Sequence, residues 1–167
     1  QVTETLWIRT ASLGRDLWSR VREGTKIFVF IGLMAVFIDG LVGVTYGGIS
    51  AYYGGRVDNI MQRIAEILTG VPNLILIILF ILILEPGITT IILAMTITGW
   101  IGMSRLVRGQ ILKLKNQEFV LAARTLGASS ARLIFKHLIP NTLGTIIISL
   151  MFTIPGAIFF EAFLSFI

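Results

Sequence analysis

At 167 residues, 55% hydrophobic and 14% charged, with a mean hydropathy of +0.89, the chain is too apolar for an ordinary water-soluble domain. It has no cysteine, which excludes a disulfide framework and thiolate chemistry. The net charge of +5 does not point to nucleic acid, because the cations lie in connections between apolar runs and no aromatic residues are interleaved with them.

The chain opens at Gln1 without a basic n-region or a short apolar h-region, so no signal peptide is visible and the N-terminus is expected to be incomplete. Residues 1–26 form a polar lead segment. The first apolar run, Ile27 to Tyr53, would extend roughly 40 Å as a helix and is interrupted by one acid, Asp39. The second, Ile64 to Leu84, has no charge after Glu66 and carries Pro72 near its start, a position expected to be tolerated or to kink. A turn at Glu85, Pro86 and Gly87 leads to Ile88–Met103, which reaches spanning length only if it continues past Ser104 toward Leu112. The fourth run, Asn141 to Phe160, holds Pro155 and Gly156, where a bend is expected. The fold class is therefore all-α, a polytopic transmembrane bundle over residues 27–167 with spans at about 27–53, 64–84, 88–112 and 141–160.

Seven cations (Arg105, Arg108, Lys113, Lys115, Arg124, Arg132, Lys136) fall in the third run's distal end and the connection after it, which places the 113–140 loop in the cytoplasm. By parity the Glu85–Gly87 turn is outside and the Gly54–Arg63 loop inside. The same parity puts residues 1–26 outside, against their five cations, which are partly balanced by Glu4, Asp16 and Glu23. Within the cytoplasmic connection, QEFVLAARTLGASSARLIFKHLIPN reads as helix, turn, helix. Glu118 to Leu126 has an apolar face at Phe119, Ala122, Ala123 and Leu126; Gly127 supplies a C-cap; Ser129 or Ser130 can cap a second helix; and Pro140 restarts the chain into the next span. On the residues alone this is an amphipathic hairpin that either connects spans or offers a face to a partner.

Two alanines, three residues, a glycine, nine residues and a hydrophobic-x-hydrophobic-Pro ending make a spacing that resembles the signature loop of bacterial ABC importer permeases. Ala122, Ala123, Gly127 and Pro140 match it, with Leu121 and His137 in place of the family's more usual Glu and Ile. LGRDLWSR (Leu13–Arg20), AYYGGRVD (Ala51–Asp58), GWIGMSRLVRGQIL (Gly99–Leu112) and FEAFLSF (Phe160–Phe166) are similar to the peptide and nickel branch, the C-type permease of oligopeptide and dipeptide importers. The resemblance implies a type I importer permease fold in the cell membrane, of which this chain is a fragment, since such subunits have six spans. It implies a second homologous permease, two cytoplasmic ATP-binding subunits that hold ATP and Mg, and an external substrate-binding protein, with no cofactor in this subunit. It also implies an ATPase-coupling loop at 117–140 carried by Ala122, Ala123, Arg124, Thr125, Gly127, Ala128, Ser129, His137 and Pro140. Peptide is the expected cargo; nickel, heme precursors and glutathione are carried by relatives.

No phosphate loop or metal-ligand cluster is present, so no enzymatic activity is expected. His137 reads first as an interfacial residue hydrogen-bonded to the loop, and second as a pH sensor or ligand. Asp39 is either paired inside the bundle or lines a watery pathway. Gly43 and Gly47, with Gly32 and Gly40 nearby, read as helix-packing positions. An ion-coupled transporter or channel using Asp39 and Glu66 is the alternative, and would be marked by an internal inverted repeat, which is not seen. A purely structural anchor is disfavoured by Asp39, Thr45, Thr96, Thr98 and Ser149.

Overall fold

Apolar runs rich in Leu, Ile, Met and Ala dictate helices, and in the computed structural model, which describes residues 17–84 and 87–166, helices and short turns account for every element. The chain begins with α1 (Leu17–Ile38), passes through a π-helical turn (Asp39–Gly43), and continues without a break into α2 (Val44–Tyr53). After a tight turn at Gly54 and Gly55 come α3 (Gly55–Thr69), α4 (Asn73–Ile83) and α5 (Ile88–Leu114). A loop built from α6 (Glu118–Thr125) and α7 (Ser130–Arg132) leads through a second π-helical turn (Leu133–Leu138) into α8 (Ile139–Phe166). Two helical stretches, Val21–Tyr53 and Ser130–Phe159, are long and apolar enough to cross a membrane. The expected turn residues Glu85 and Pro86, the lead segment before residue 17 and the side chains of 160–166 lie outside the described residues.

Two expectations are corrected. The run 64–84 is not one continuous helix but two: α3 ends at Thr69, and Pro72, which has no N–H and forces its predecessor out of helical geometry, stands just before the 11-residue α4. α3 is amphipathic, burying Asp58 and Ala65 while Ile60, Ile64 and Ile67 stay exposed. Second, Pro140 does not restart a helix. The backbone is helical from Ser130 onward, and the wide turn at Leu133–Leu138 falls where the proline ring and its missing N–H would disrupt an α-helical ladder. At the other end of α8, the helix also continues through Pro155 and Gly156.

α5 is the centre of the bundle, packed by α2 on one side and by α8 and α4 on others, while α1 lies along α8. The π-helical turn and α2 reach α5 so closely that a Cβ on Gly43, the last residue of the turn, would stand 2.7 Å from the Met103 Cβ and the Trp100 carbonyl oxygen. A Cβ on Gly47 would overlap the Ser104 carbonyl outright. The paired glycines thus let two backbones touch, as the small-xxx-small spacing suggested. The main core cluster unites Ala51 of α2, Met103, Val107 and Ile111 of α5, Val120 of α6, Leu133 and Leu138 of the second π turn, and Ile146 of α8. Gly47→Val is expected to cost about 1–3 kcal/mol or more and to lower the thermal unfolding midpoint of the purified subunit, because neither backbone can retreat. Gly102→Ala, whose Cβ meets nothing within 4 Å, is the neutral control.

Candidate functional site: the 117–140 loop and the Asp39 cavity

The loop is held by local and tertiary bonds of different kinds. α6 closes in a Schellman turn: Gly127 N–H donates to the Arg124 carbonyl (3.0 Å) and Ala128 N–H to the Ala123 carbonyl (3.1 Å), with Gly127 at φ +81°. Only glycine holds that backbone without strain. Ser129 rather than Ser130 is the next N-cap, its hydroxyl accepting from Arg132 N–H at 3.4 Å.

The base of this loop is tied to the ends of α2 and α5. Lys115 Nζ donates to the Ala51 carbonyl at 2.9 Å, and Tyr52 Oη donates to Ser130 Oγ at 3.3 Å. The Arg124 guanidinium lies 5.7 Å from the Tyr52 ring centroid. Val120 is fully buried, and Ala123 and Ala128 pack half-buried against the same core. The apolar face expected at Phe119, Ala122, Ala123 and Leu126 is therefore corrected: Val120 and Ala123 face inward, whereas Phe119, Ala122 and Leu126, which share a helix face, point out. Leu126 is 88% exposed. With Arg124, Thr125, Gly127 and Ser129, also exposed, it forms the rim of the loop. His137 and Pro140 sit apart from this rim, in and just after the second π turn. His137 is half-buried, and its ring makes no hydrogen bond among the described residues, so the expected bond to the loop is not formed; its carbonyl accepts from Asn141 Nδ2 at 2.6 Å.

A polar lock missed by the sequence reading joins α3 to α5 beside the loop. Arg108 grips Asp58 with two parallel bonds, Nε to Oδ1 at 2.7 Å and Nη2 to Oδ2 at 2.5 Å. Ser50 Oγ donates to Asp58 Oδ1 at 2.5 Å and accepts from Gln62 Nε2 at 3.2 Å. Along the same side of α5, Arg105 donates to the Thr69 hydroxyl (3.2 Å) and the Thr98 hydroxyl to Asn73 Oδ1 (2.9 Å). The Tyr46 hydroxyl adds a bond from α2 to the Met61 carbonyl at 2.7 Å. In the sequence Arg108 is a topology signal and part of the family-like stretch Gly99–Leu112, and Asp58, fifty residues away, ends the stretch Ala51–Asp58; neither gives a local cue to their pairing.

Asp39 lies elsewhere, at the first position of the π turn between α1 and α2 and roughly 20 Å along the helix from Tyr52. Only 9% exposed, it lines a cavity of about 250 Å³ together with Asn73, Thr96, Gly99, Thr153 and apolar residues of α1, α5 and α8. A Cβ at Gly99 would stand 2.8 Å from Asp39 Oδ1, so glycine there leaves room for the carboxylate. Asp39 has no hydrogen-bond or ion-pair partner among the described residues, in contrast to Asp58.

Residues 43–167 match the family described as binding-protein-dependent transport system inner membrane component. The chain belongs to that family. It is 52% identical over 161 residues to the dipeptide transport system permease protein DppC of Bacillus subtilis, covering 96% of this chain and 50% of the relative. To the oligopeptide transport system permease protein OppC of the same organism it is 54% identical, covering 96% and 53%. The glutathione transport system permease protein GsiD of Escherichia coli O6:K15:H31 is 37% identical, again over 96% of this chain and 53% of the relative. The chain spans about half the length of the curated relatives it matches. The family's membrane character fits a helical bundle whose exposed surface is crowded with Leu, Ile and Phe.

The Arg108 guanidinium bound to Asp58, helped by Ser50 and opposed by desolvation, holds the Asp58 carboxyl below the usual carboxylate range. A depressed folded value means that its stabilisation is complete above the unfolded value of about 4 and is lost as pH falls through the folded one. Thermal melts of the purified protein from about pH 6 to about pH 3 are expected to lose this contribution only at the acid end, and Asp58→Asn to abolish that share of the acid dependence. Arg108→Ala, which strands a buried carboxylate, is expected to cost about 3 kcal/mol at neutral pH.

Proposed function

We propose that this chain is part of a multi-pass permease subunit of an ATP-driven importer of oligopeptides or dipeptides. In this reading a second, similar permease completes the pathway, an external binding protein delivers cargo, and two cytoplasmic subunits bind ATP and Mg. The names of the relatives support the cargo class. One observation carries the coupling role: an exposed rim around Leu126 stands on a loop whose base belongs to the same core as α2, α5 and α8.

Such a construction suits force transfer. The rim offers a leucine side chain and the Arg124 cation to a cleft on an ATPase subunit, while the Schellman turn keeps α6 and the helix after it at a fixed angle. Motion imposed on the rim reaches α2 through the Arg124 stack on Tyr52 and the Tyr52–Ser130 bond, and α5 through Lys115. α1 and α2 form one unbroken helical rod, so movement at Tyr52 is felt at Asp39, which lines the pathway in this reading.

The test is Leu126→Asp in the complete complex, since a residue this exposed can be altered without disturbing the core. The expected outcome is an unchanged thermal midpoint, loss of ATPase subunits on co-purification and loss of ATP-driven peptide uptake in proteoliposomes. Gly127→Pro, which removes a donor and cannot take the positive φ, is expected to act likewise at some cost in loop stability. Uptake that persists undiminished in Leu126→Asp, or that proceeds in wild type without any ATPase, would overturn the assignment and favour ion coupling.

A further inference from the structure

Resting on the importer reading, we infer that the Asp39 cavity is a subsite for the N-terminal ammonium group of the cargo peptide. The polar groups facing the cavity are matched to a donor. Asp39 brings a carboxylate that is nine-tenths buried and unpartnered among the described residues. Thr96 and Thr153 turn their hydroxyl protons back onto their own helices, to the carbonyls of Ile92 and Ser149, the latter at 3.3 Å. Their oxygens therefore present lone pairs outward. Asn73 Oδ1 accepts from Thr98 and keeps a second lone pair. No Lys or Arg among the described residues lines the cavity.

A primary ammonium carries three donors and one positive charge, which fits one carboxylate flanked by hydroxyl oxygens. Size narrows the occupant further. At about 250 Å³ the cavity falls below the roughly 300–1,000 Å³ of sites that enclose a whole small molecule, so it takes one end of the cargo and leaves the rest in the pathway. The apolar remainder of the wall, Ile31, Ala35, Ile92, Met95 and Ala157, receives the first side chain without demanding a particular one. Such a site reads the feature all linear peptides share and ignores their sequence. It is also reached from the rim through the α1–α2 rod, so binding and release of the amine are placed under control of the same motion.

The experiment compares trialanine with N-acetyl-trialanine as additives to the purified complete complex, without ATP or binding protein, by thermal shift. Wild type is expected to be stabilised by trialanine at concentrations about tenfold or more below those needed for the acetylated peptide, the discrimination that one charge-assisted pairing supplies. Asp39→Asn is expected to erase the difference. Gly99→Ala, which crowds the carboxylate without deleting it, is expected to reduce it and guards against a folding defect in the first variant. Equal stabilisation of wild type by both peptides, or a preference that survives Asp39→Asn, would overturn the assignment. So would stabilisation by sodium or potassium ions that matches trialanine, or an Asp39→Asn complex weakened only in the absence of peptide, which would mark an inorganic or structural counter-ion instead. Because the readout needs no hydrolysis, a failure of ATP-driven uptake, which counts against the importer reading, is distinguished from a failure of the amine preference, which counts against this subsite.

Discussion

The structure depends first on the close approach of α2 to α5. With no side chain at Gly43 or Gly47, the α2 backbone rests on the α5 backbone from Trp100 to Ser104, and this contact sets the register of the two helices. Once the register is fixed, the other interactions follow by position. Ser50 and Arg108 converge on Asp58, Lys115 reaches the last turn of α2 at Ala51, and Tyr52 arrives beside Ser130 and Arg124. In a membrane, where lipid competes equally with any apolar side chain, such backbone-to-backbone contact supplies packing that a leucine seam would not.

Polar groups are then distributed by task. Along one side of α5, Thr98, Arg105 and Arg108 hold α4 and α3, each bond satisfied by a named partner. These contacts explain how the short α4 and the amphipathic α3 are held against the bundle. Asp39 stands outside this scheme as the buried acid without a partner among the described residues. The difference between Asp58, doubly gripped, and Asp39, left open, separates a structural carboxylate from one available to a ligand.

Much of this was legible in the chain. Hydropathy gave the helical class, the small-xxx-small pair marked Gly43 and Gly47 as close-packing positions without naming their partner helix, and the Ala-Ala-x3-Gly spacing located the loop with its αL glycine at Gly127. What the sequence concealed was tertiary. Periodicity identified an apolar stripe on α6 but could not say which of two adjacent stripes faces the core, because Val120 with Ala123 and Phe119 with Ala122 and Leu126 have comparable spacing. Hydropathy also ran across Pro72 as though 64–84 were continuous, since a window average does not register a missing N–H. The Asp58–Arg108 pair and the role of Tyr52 join residues too far apart in sequence for any local pattern to link.

The π-helical turn at Asp39–Gly43 has a consequence for how this segment tolerates changes in length. A wide turn inside an otherwise α-helical rod amounts to extra chain that the surrounding helix has absorbed. Delete one residue there and ordinary α-helical bonding can run straight through with α1 and α2 keeping the faces they now present, whereas a deletion within α1 itself would rotate the part before it by about 100° relative to α2. A deletion between Gly32 and the turn would leave Asp39 on the cavity and α2 seated on α5 by its glycines, while Gly32 swung off Ile154. The rod therefore forgives the loss of a residue at the turn more readily than in the helices beside it, and the length of those helices, as much as their composition, fixes which faces they present.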